Sequence, residues 1–283
     1  MTEAKQAPNI RPEEGWHVLH LYYQIDHSQW STLSRDEQRE AKTKLTELIQ
    51  EIRSFPETQL LAFAVTTPKA DLGFMLITPD LVAATHFEKR LTLSLGPEVL
   101  APTYSYLSQT ERSEYTTTRE QYAAETLRQE KGLKEGSEEY EAALKEFDER
   151  MAKYSQHRLY PVLPDWPVVC FYPMSKRRGS HPDYNWYGTE YDERRQLMKG
   201  HATTGRKYAG KILQLISGST GLDEHEWASP SSHTTPTKLK PSFTKCASTM
   251  SLLAMVNSET FTSGCNSPLM NSSGEFVSRP FSS

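Results

Sequence analysis

Paired cysteine motifs are missing from this 283-residue chain: its three cysteines, Cys170, Cys246 and Cys265, have neither zinc-type spacing nor the density of a disulfide framework. Long apolar runs are missing too, since no stretch approaches the roughly eighteen residues a membrane-spanning helix needs. The opening residues, MTEAKQAPNIRPEEG, hold no apolar core of the kind a secretory leader carries. Nor is there a surplus of positive charge. Against 32 Lys and Arg stand 36 Asp and Glu, a formal net charge of -4, and no basic stripe of the kind nucleic-acid binding uses. These absences point to a reduced, cytoplasmic protein without membrane span or nucleic-acid partner.

What the sequence does contain is period. Residues 1–14 are polar and read as a disordered tail. From Trp16 the run WHVLHLYYQID alternates imperfectly, as a strand with one covered face does. Ser34 opens SRDEQREAKTKLTELIQEI, where Glu37 completes a capping box and Leu45, Leu48 and Ile52 mark a buried helical stripe. Two strands follow, Leu60 to Val65 and Gly73 to Ile77, about a turn at Lys69 to Asp71. Pro79 and Asp80 start a helix reaching Leu93, and Thr103 to Ser108 is a fourth strand. The order β-α-β-β-α-β over residues 15–116 predicts a ferredoxin-like unit, α+β in class. Residues 117–157, charged and broken near Gly132 and Gly136, read as a solvated pair of connector helices.

From Arg158 the pattern starts again. Val168 to Tyr172, apolar and bounded by Pro167 and Pro173, is a buried strand; it delivers a Tyr-Pro-Met-Ser-Lys turn and the basic triplet Lys176, Arg177, Arg178. Thr189 can cap a helix whose first turn is acidic, and Leu197, His201, Tyr208 and Ile212 share roughly one face. A neutral imidazole there can ligate a metal or a haem iron; a core histidine bonded to a carbonyl is the other reading. Further strands are expected at Ile212 to Ile216 and from Glu226.

Taken in order, Arg158-Leu159-Tyr160-Pro161, Tyr172-Pro173-Met174-Ser175-Lys176-Arg177-Arg178, Asn185-Trp186-Tyr187, and His201 with Gly205-Arg206-Lys207-Tyr208-Ala209-Gly210-Lys211 closely resemble the coproheme decarboxylases, a branch of the chlorite dismutase family. The resemblance implies two ferredoxin-like repeats in a dimeric α+β barrel, assembled as a homopentamer, with the porphyrin held by residues 158–227. It implies conversion of iron-coproporphyrin III to haem b with hydrogen peroxide as oxidant, two propionates becoming vinyl groups. His201 would be the iron ligand, and Tyr172 the residue oxidised to a radical. Arg158, Pro173, Met174, Ser175, Lys176, Trp186 and Gln214 would join Tyr172 in binding the substrate. Gln214 stands where chlorite-degrading relatives place an arginine, which argues against chlorite dismutation; that activity and haem binding without turnover are the alternative functions.

After Trp227 the repeat fails. Residues 228–283 are dense in Ser, Thr and Pro without sustained period, as in low-complexity segments, and the second repeat would lack its last helix and strand. Adding one base after the Trp227 codon permits a reading with a Gly-Val-Thr-Leu-Phe strand and a later Met-Arg-Phe-Asp segment, both found in the family at this spacing. A single-base deletion is therefore the expected origin of an irregular, out-of-frame tail, which also puts Leu252 where the family uses a propionate-binding serine.

Overall fold

The computed structural model describes residues 10–179, 185–229, 231–233, 256–257 and 262–265. The first half runs β1 (His17–Ile25), α1 (His27–Thr32), α2 (Arg35–Ser54), β2 (Gln59–Val65), β3 (Leu72–Thr78), α3 (Leu81–Thr92) and β4 (Leu100–Thr110). Its strands lie in the order β4-β1-β3-β2, every neighbouring pair antiparallel, which is the ferredoxin-like arrangement that the sequence pattern predicts. The capping box at Ser34 and Glu37 is formed. It sets the phase of α2 so that Ala41, Leu45, Leu48, Ile49 and Ile52 all face inward. Period-two alternation then divides β1 between two cores. Leu21 and Tyr23 join the cluster under α2 and α3, whereas Val18 and Tyr22 face the opposite side. Gly73 lets Phe63 fill that side, since a Cβ there would stand 2.2 Å from the Phe63 ring.

Several expectations for the first half need correction. The short α1 was not expected; Asp26 starts it by accepting from the Ser28 and Gln29 backbones. Residues 10–14, expected in the tail, are tied down: Ile10 O accepts from Leu81 N at 3.1 Å and Glu14 pairs with Arg112 at 2.7 Å. The connector consists of α4 (Arg119–Gln121), a π-helical continuation (Tyr122–Glu130) and α5 (Glu138–Leu159). Instead of being solvated all round, these helices bury Ala123, Leu127, Tyr140 and Leu144 together, and Tyr122 stacks on Phe147 at 4.2 Å.

In the second half, β5 (Val168–Phe171) and β6 (Pro173–Lys176) precede a one-turn 3-10 helix (Trp186–Gly188), α6 (Tyr191–Arg206), β7 (Ile212–Gln214), β8 (Ser217–Gly218) and β9 (Trp227–Ala228). The segment read as a turn after Tyr172 is thus a strand. Thr189 does not cap α6; its hydroxyl donates to the Asn185 carbonyl at 3.0 Å. Tyr208 and Ile212 lie past the end of α6, so the face they were expected to share with Leu197 is not continuous. Val169, Phe171, Leu215 and Ala228 pack with Val18, Tyr22, Phe63 and Ile77 in the core between the halves.

The described parts of the tail are short strands where irregular chain was expected: β10 (Ser231–His233), β11 (Val256–Asn257) and β12 (Thr262–Cys265). β12 lies between β2 and β5, and β10 between β5 and β7. Main-chain groups on those edges need partners, and a backbone of any composition can supply them. Residues 1–9, Cys246, Leu252 and the rest of the tail fall outside the described residues. No helix among the described residues is long and apolar enough to cross a membrane.

Candidate functional site

Pro173 has no N–H to give to a ladder, and it begins β6, the kind of position a strand proline tolerates. The chain therefore passes from β5 to β6 through a single residue, Tyr172. β5 pairs with β10 and β12, whereas β6 pairs with β9 and β11, so Tyr172 is the joint between two groups of strands. Its phenol oxygen accepts from Gln214 Nε2 at 3.0 Å, and its carbonyl accepts from Ser229 N at 3.1 Å. Gln214 also donates to the Ser229 hydroxyl. Two of the expected binding residues, Tyr172 and Gln214, are thereby brought into direct contact.

Along β6 the side chains take different roles. Pro173 is buried and pairs across from Ala228, and Met174 pairs with Trp227. Ser175 Oγ lies 3.1 Å from His225 Nδ1. Lys176 is drawn into a ring of aromatic faces: its Nζ lies 4.5 Å from the Trp227 ring centre, 5.7 Å from Trp186 and 5.8 Å from Tyr187. A Glu114 carboxylate oxygen stands 3.4 Å away, and the Lys176 side chain is only 16% exposed. Cation–π attraction and one nearby anion offset the loss of water around this ammonium.

Trp186 is held at the wall of this site by its 3-10 turn, which Asn185 caps through Tyr187 N at 3.2 Å. It is 2% exposed and meets Tyr115 edge-on at 6.0 Å. Arg158, in the last turn of α5, donates from Nε to the Glu111 carbonyl at 3.1 Å and lies over the Tyr154 ring. Arg158 and Lys176 converge electrostatically on the Glu111 side chain. Burial pushes the Glu111 carboxyl above its usual range, and the two cations pull it partly back.

His201 lies within α6, but its imidazole is outside the described side chains, so the expected iron ligand is placed by backbone alone. No group of three or more His, Cys, Asp or Glu side chains able to hold a bare metal ion occurs among the described residues. Sequence reasoning missed Glu114, His225, Glu226 and Ser229, and held Tyr187 only as part of the Asn185-Trp186-Tyr187 motif. A signal was present for Glu226: the Lys176–Arg178 triplet needs a counter-charge, and Glu226 stands at the start of a strand expected from the sequence.

The donors suit a flat, polycarboxylate ligand. Lys176, Arg158 and Arg178 offer charge-assisted hydrogen bonds to carboxylates, and Trp227, partly exposed, offers aromatic surface. Each cation already has an acceptor within the protein: Glu114 for Lys176, Glu226 for Arg178 and the Glu111 carbonyl for Arg158. A ligand carboxylate must therefore exchange with them.

The model of one family, described as chlorite dismutase, matches residues 38–241. A protein of Natronomonas pharaonis whose name describes haem binding is 36% identical over 239 residues, 83% of this chain; the chain spans 36% of that relative's length. A solved haem-binding protein from Thermus thermophilus is 31% identical with a TM-score of 0.71, covering 91% of this chain and 93% of its own. A chlorite dismutase variant from Candidatus Nitrospira defluvii, 14% identical over 91% of this chain and 94% of its own, has a TM-score of 0.65, a likeness of fold.

Proposed function

Because the chain belongs to the chlorite dismutase family, we propose that it decarboxylates iron-coproporphyrin III to haem b with hydrogen peroxide. The observation that carries this reading is the joint at Tyr172. A phenol is held there by Gln214 at 3.0 Å, at the head of the strand that carries Lys176. The substrate brings the iron, whose reaction with peroxide supplies the oxidising power. Tyr172 suits the next task because a phenol can lose its proton and electron together and then take a hydrogen atom from a propionate side chain. For each propionic acid group, one peroxide is consumed and a vinyl group, one carbon dioxide and two waters form, so two turnovers give haem b. Lys176 and Arg158 bind propionates, Ser175, Met174 and Pro173 set their height along β6, and buried Trp186 backs the Lys176 ammonium that meets the porphyrin. His201 would hold the iron.

Gln214 favours decarboxylation over chlorite chemistry, since a neutral amide replaces the cation expected for handling a chlorine oxyanion. Haem binding without turnover accords with the names of two relatives and is separated by product analysis. The protein is cytoplasmic and homopentameric in this reading. Residues 228–283 are the product of a one-base deletion after the Trp227 codon, which leaves the second repeat of the dimeric α+β barrel incomplete. Optical titration with iron-coproporphyrin III tests the assignment. The chain is expected to bind it with a ferric spectrum that His201→Ala alters, and to form haem b on addition of peroxide. An unaltered spectrum in His201→Ala would move the ligand elsewhere, and bound substrate that survives peroxide would leave a binding protein.

A further inference from the structure

Three hydrogen-bond donors from two segments of the second half meet at one carboxylate. Glu226 Oε2 accepts from the backbone N of Lys176 at 2.8 Å. Its Oε1 accepts from Arg178 Nη2 at 2.8 Å and from the Tyr187 hydroxyl. The Glu226 side chain is 13% exposed. Its main chain is fixed in both directions, N donating to Met174 O at 3.1 Å and O accepting from Ser219 N at 2.7 Å. The main chain from which the carboxylate projects is therefore anchored independently of the side-chain bonds.

These bonds govern the surroundings of one ammonium group. The first sets the height of the Lys176 backbone. The second turns Arg178 across the Tyr187 ring, with its guanidinium carbon 4.5 Å from the ring centre. The third pins the hydroxyl end of that same ring, which forms one wall around Lys176 Nζ. The next residue, Trp227, supplies the nearest wall. Burial pushes the Glu226 carboxyl up, but the bonds from Tyr187, Arg178 and Lys176 N outweigh it and hold the group below its usual range, as an anion.

We propose that Glu226 is a positioning residue, which holds the Lys176 ammonium and the Tyr187 ring in the arrangement that receives a ligand carboxylate. This deepens the functional reading above, on which it rests only in taking that carboxylate for a porphyrin propionate. The charge state is essential to the geometry. All three partners are donors, whereas an amide offers one acceptor oxygen and two N–H groups. Glutamine at this place would set donor against donor. Aspartate keeps the acceptors but is one methylene shorter.

The test uses the full chain as wild type, Glu226→Gln and Glu226→Asp, without porphyrin in its first arm. Acylation of Lys176 by N-acetoxysuccinimide is timed by peptide mass spectrometry, with exposed Lys44 and Lys131 as internal standards and circular dichroism as the check on folding. Lys176 is expected to react about tenfold faster in Glu226→Gln, the factor that loss of about 1.4 kcal/mol of hydrogen bonding gives, with Glu226→Asp between the two. The second arm is optical titration with iron-coproporphyrin III, where the dissociation constant should rise by a similar factor. Unchanged Lys176 reactivity in a folded Glu226→Gln chain overturns the proposal. Faster labelling in a chain whose wild type binds no porphyrin supports the positioning role and removes the porphyrin reading. If Glu226→Gln does not fold, Tyr187→Phe deletes one donor and its wall-fixing bond; faster Lys176 labelling there supports the role, and an unchanged rate overturns it.

Discussion

In the first half, α2 and α3 cover one face of a four-stranded sheet with strands of seven to eleven residues, and Leu45, Ile52, Phe74, Leu76 and Leu91 have no exposed surface. In the second half the strands are two to four residues long, and no described side chain of α6 is buried. Its well-buried residues, such as Val169 and Phe171, pack against the first half. One half thus carries a core of its own, and the described buried residues of the other pack mainly against it. The residues proposed for chemistry sit in the half with less support. Ion pairs such as Lys176 with Glu114 and Arg178 with Glu226 hold them where aliphatic packing is thin.

The largest effect should come from the tail. If residues 228–283 are out of frame, adding one base after the Trp227 codon restores a helix and strand to the second repeat. Each large side chain so buried contributes about 1.5 to 3 kcal/mol, and a few of them rival a whole domain's stability of about 5 to 15 kcal/mol. Limited proteolysis should cut the chain as written beyond Trp227 and spare the restored chain; equal resistance in both would sink the deletion hypothesis.

Next in size is Phe74→Ala, which should cost about 3 to 5 kcal/mol by leaving a cavity in the self-sufficient core. Leu197→Ala in half-buried α6 should cost well under half as much, as read by urea unfolding. Similar costs at the two sites would erase the contrast between the halves.

His20 probes the seam. It is fully buried, neither ring nitrogen has a hydrogen-bond partner among the described residues, and its ring lies 4.2 Å from Phe171. Burial lowers its pKa from 6.5 to about 3. With the folded value depressed, the unfolded chain takes up the proton first. Stability is then complete above about pH 6.5 and is lost as pH falls toward 3, at about 1.4 kcal/mol per unit. Between pH 6.5 and 4.5 the excess loss should be about 2 to 3 kcal/mol relative to His20→Phe. Parallel pH–stability curves for the two proteins would show that His20 is not the group responsible. The smallest effect expected is at the Ser34 cap, where Ser34→Ala should remove about 1 kcal/mol, and thermal unfolding would register it as a modest shift.

The difference between the halves also explains what the sequence made legible. Where helical or strand period is sustained, as in Ser34 to Ile52 or Trp16 to Ile25, local preference and tertiary burial agree, and the elements appear at nearly the positions the pattern predicts. In the second half they do not agree. The Tyr172 to Lys176 segment has a proline and a serine that suggest a turn, yet pairing with β9 and β11 draws Pro173 to Lys176 into a strand. The connector's charges concealed the inward face of Ala123, Leu127 and Leu144, because its helices bury that face against each other. Tyr172, Lys176, Trp186 and Gln214 were legible as candidates through motif order. The carboxylates that pair with the cations were not, because Glu114 and Glu226 are 62 and 50 residues from Lys176 in the chain.

The most direct measurement is the mass of the porphyrin after peroxide titration, made on the wild type and on Tyr172→Phe. In the wild type, iron-coproporphyrin III should lose two carboxyl groups in succession, each as carbon dioxide with two hydrogens, and end as haem b. Tyr172→Phe should bind the same porphyrin with similar affinity and leave all four carboxylates in place, because its ring still packs but has no O–H to give up. Haem b formed by Tyr172→Phe at the wild-type rate, or four carboxylates remaining in the wild type, would contradict the assignment.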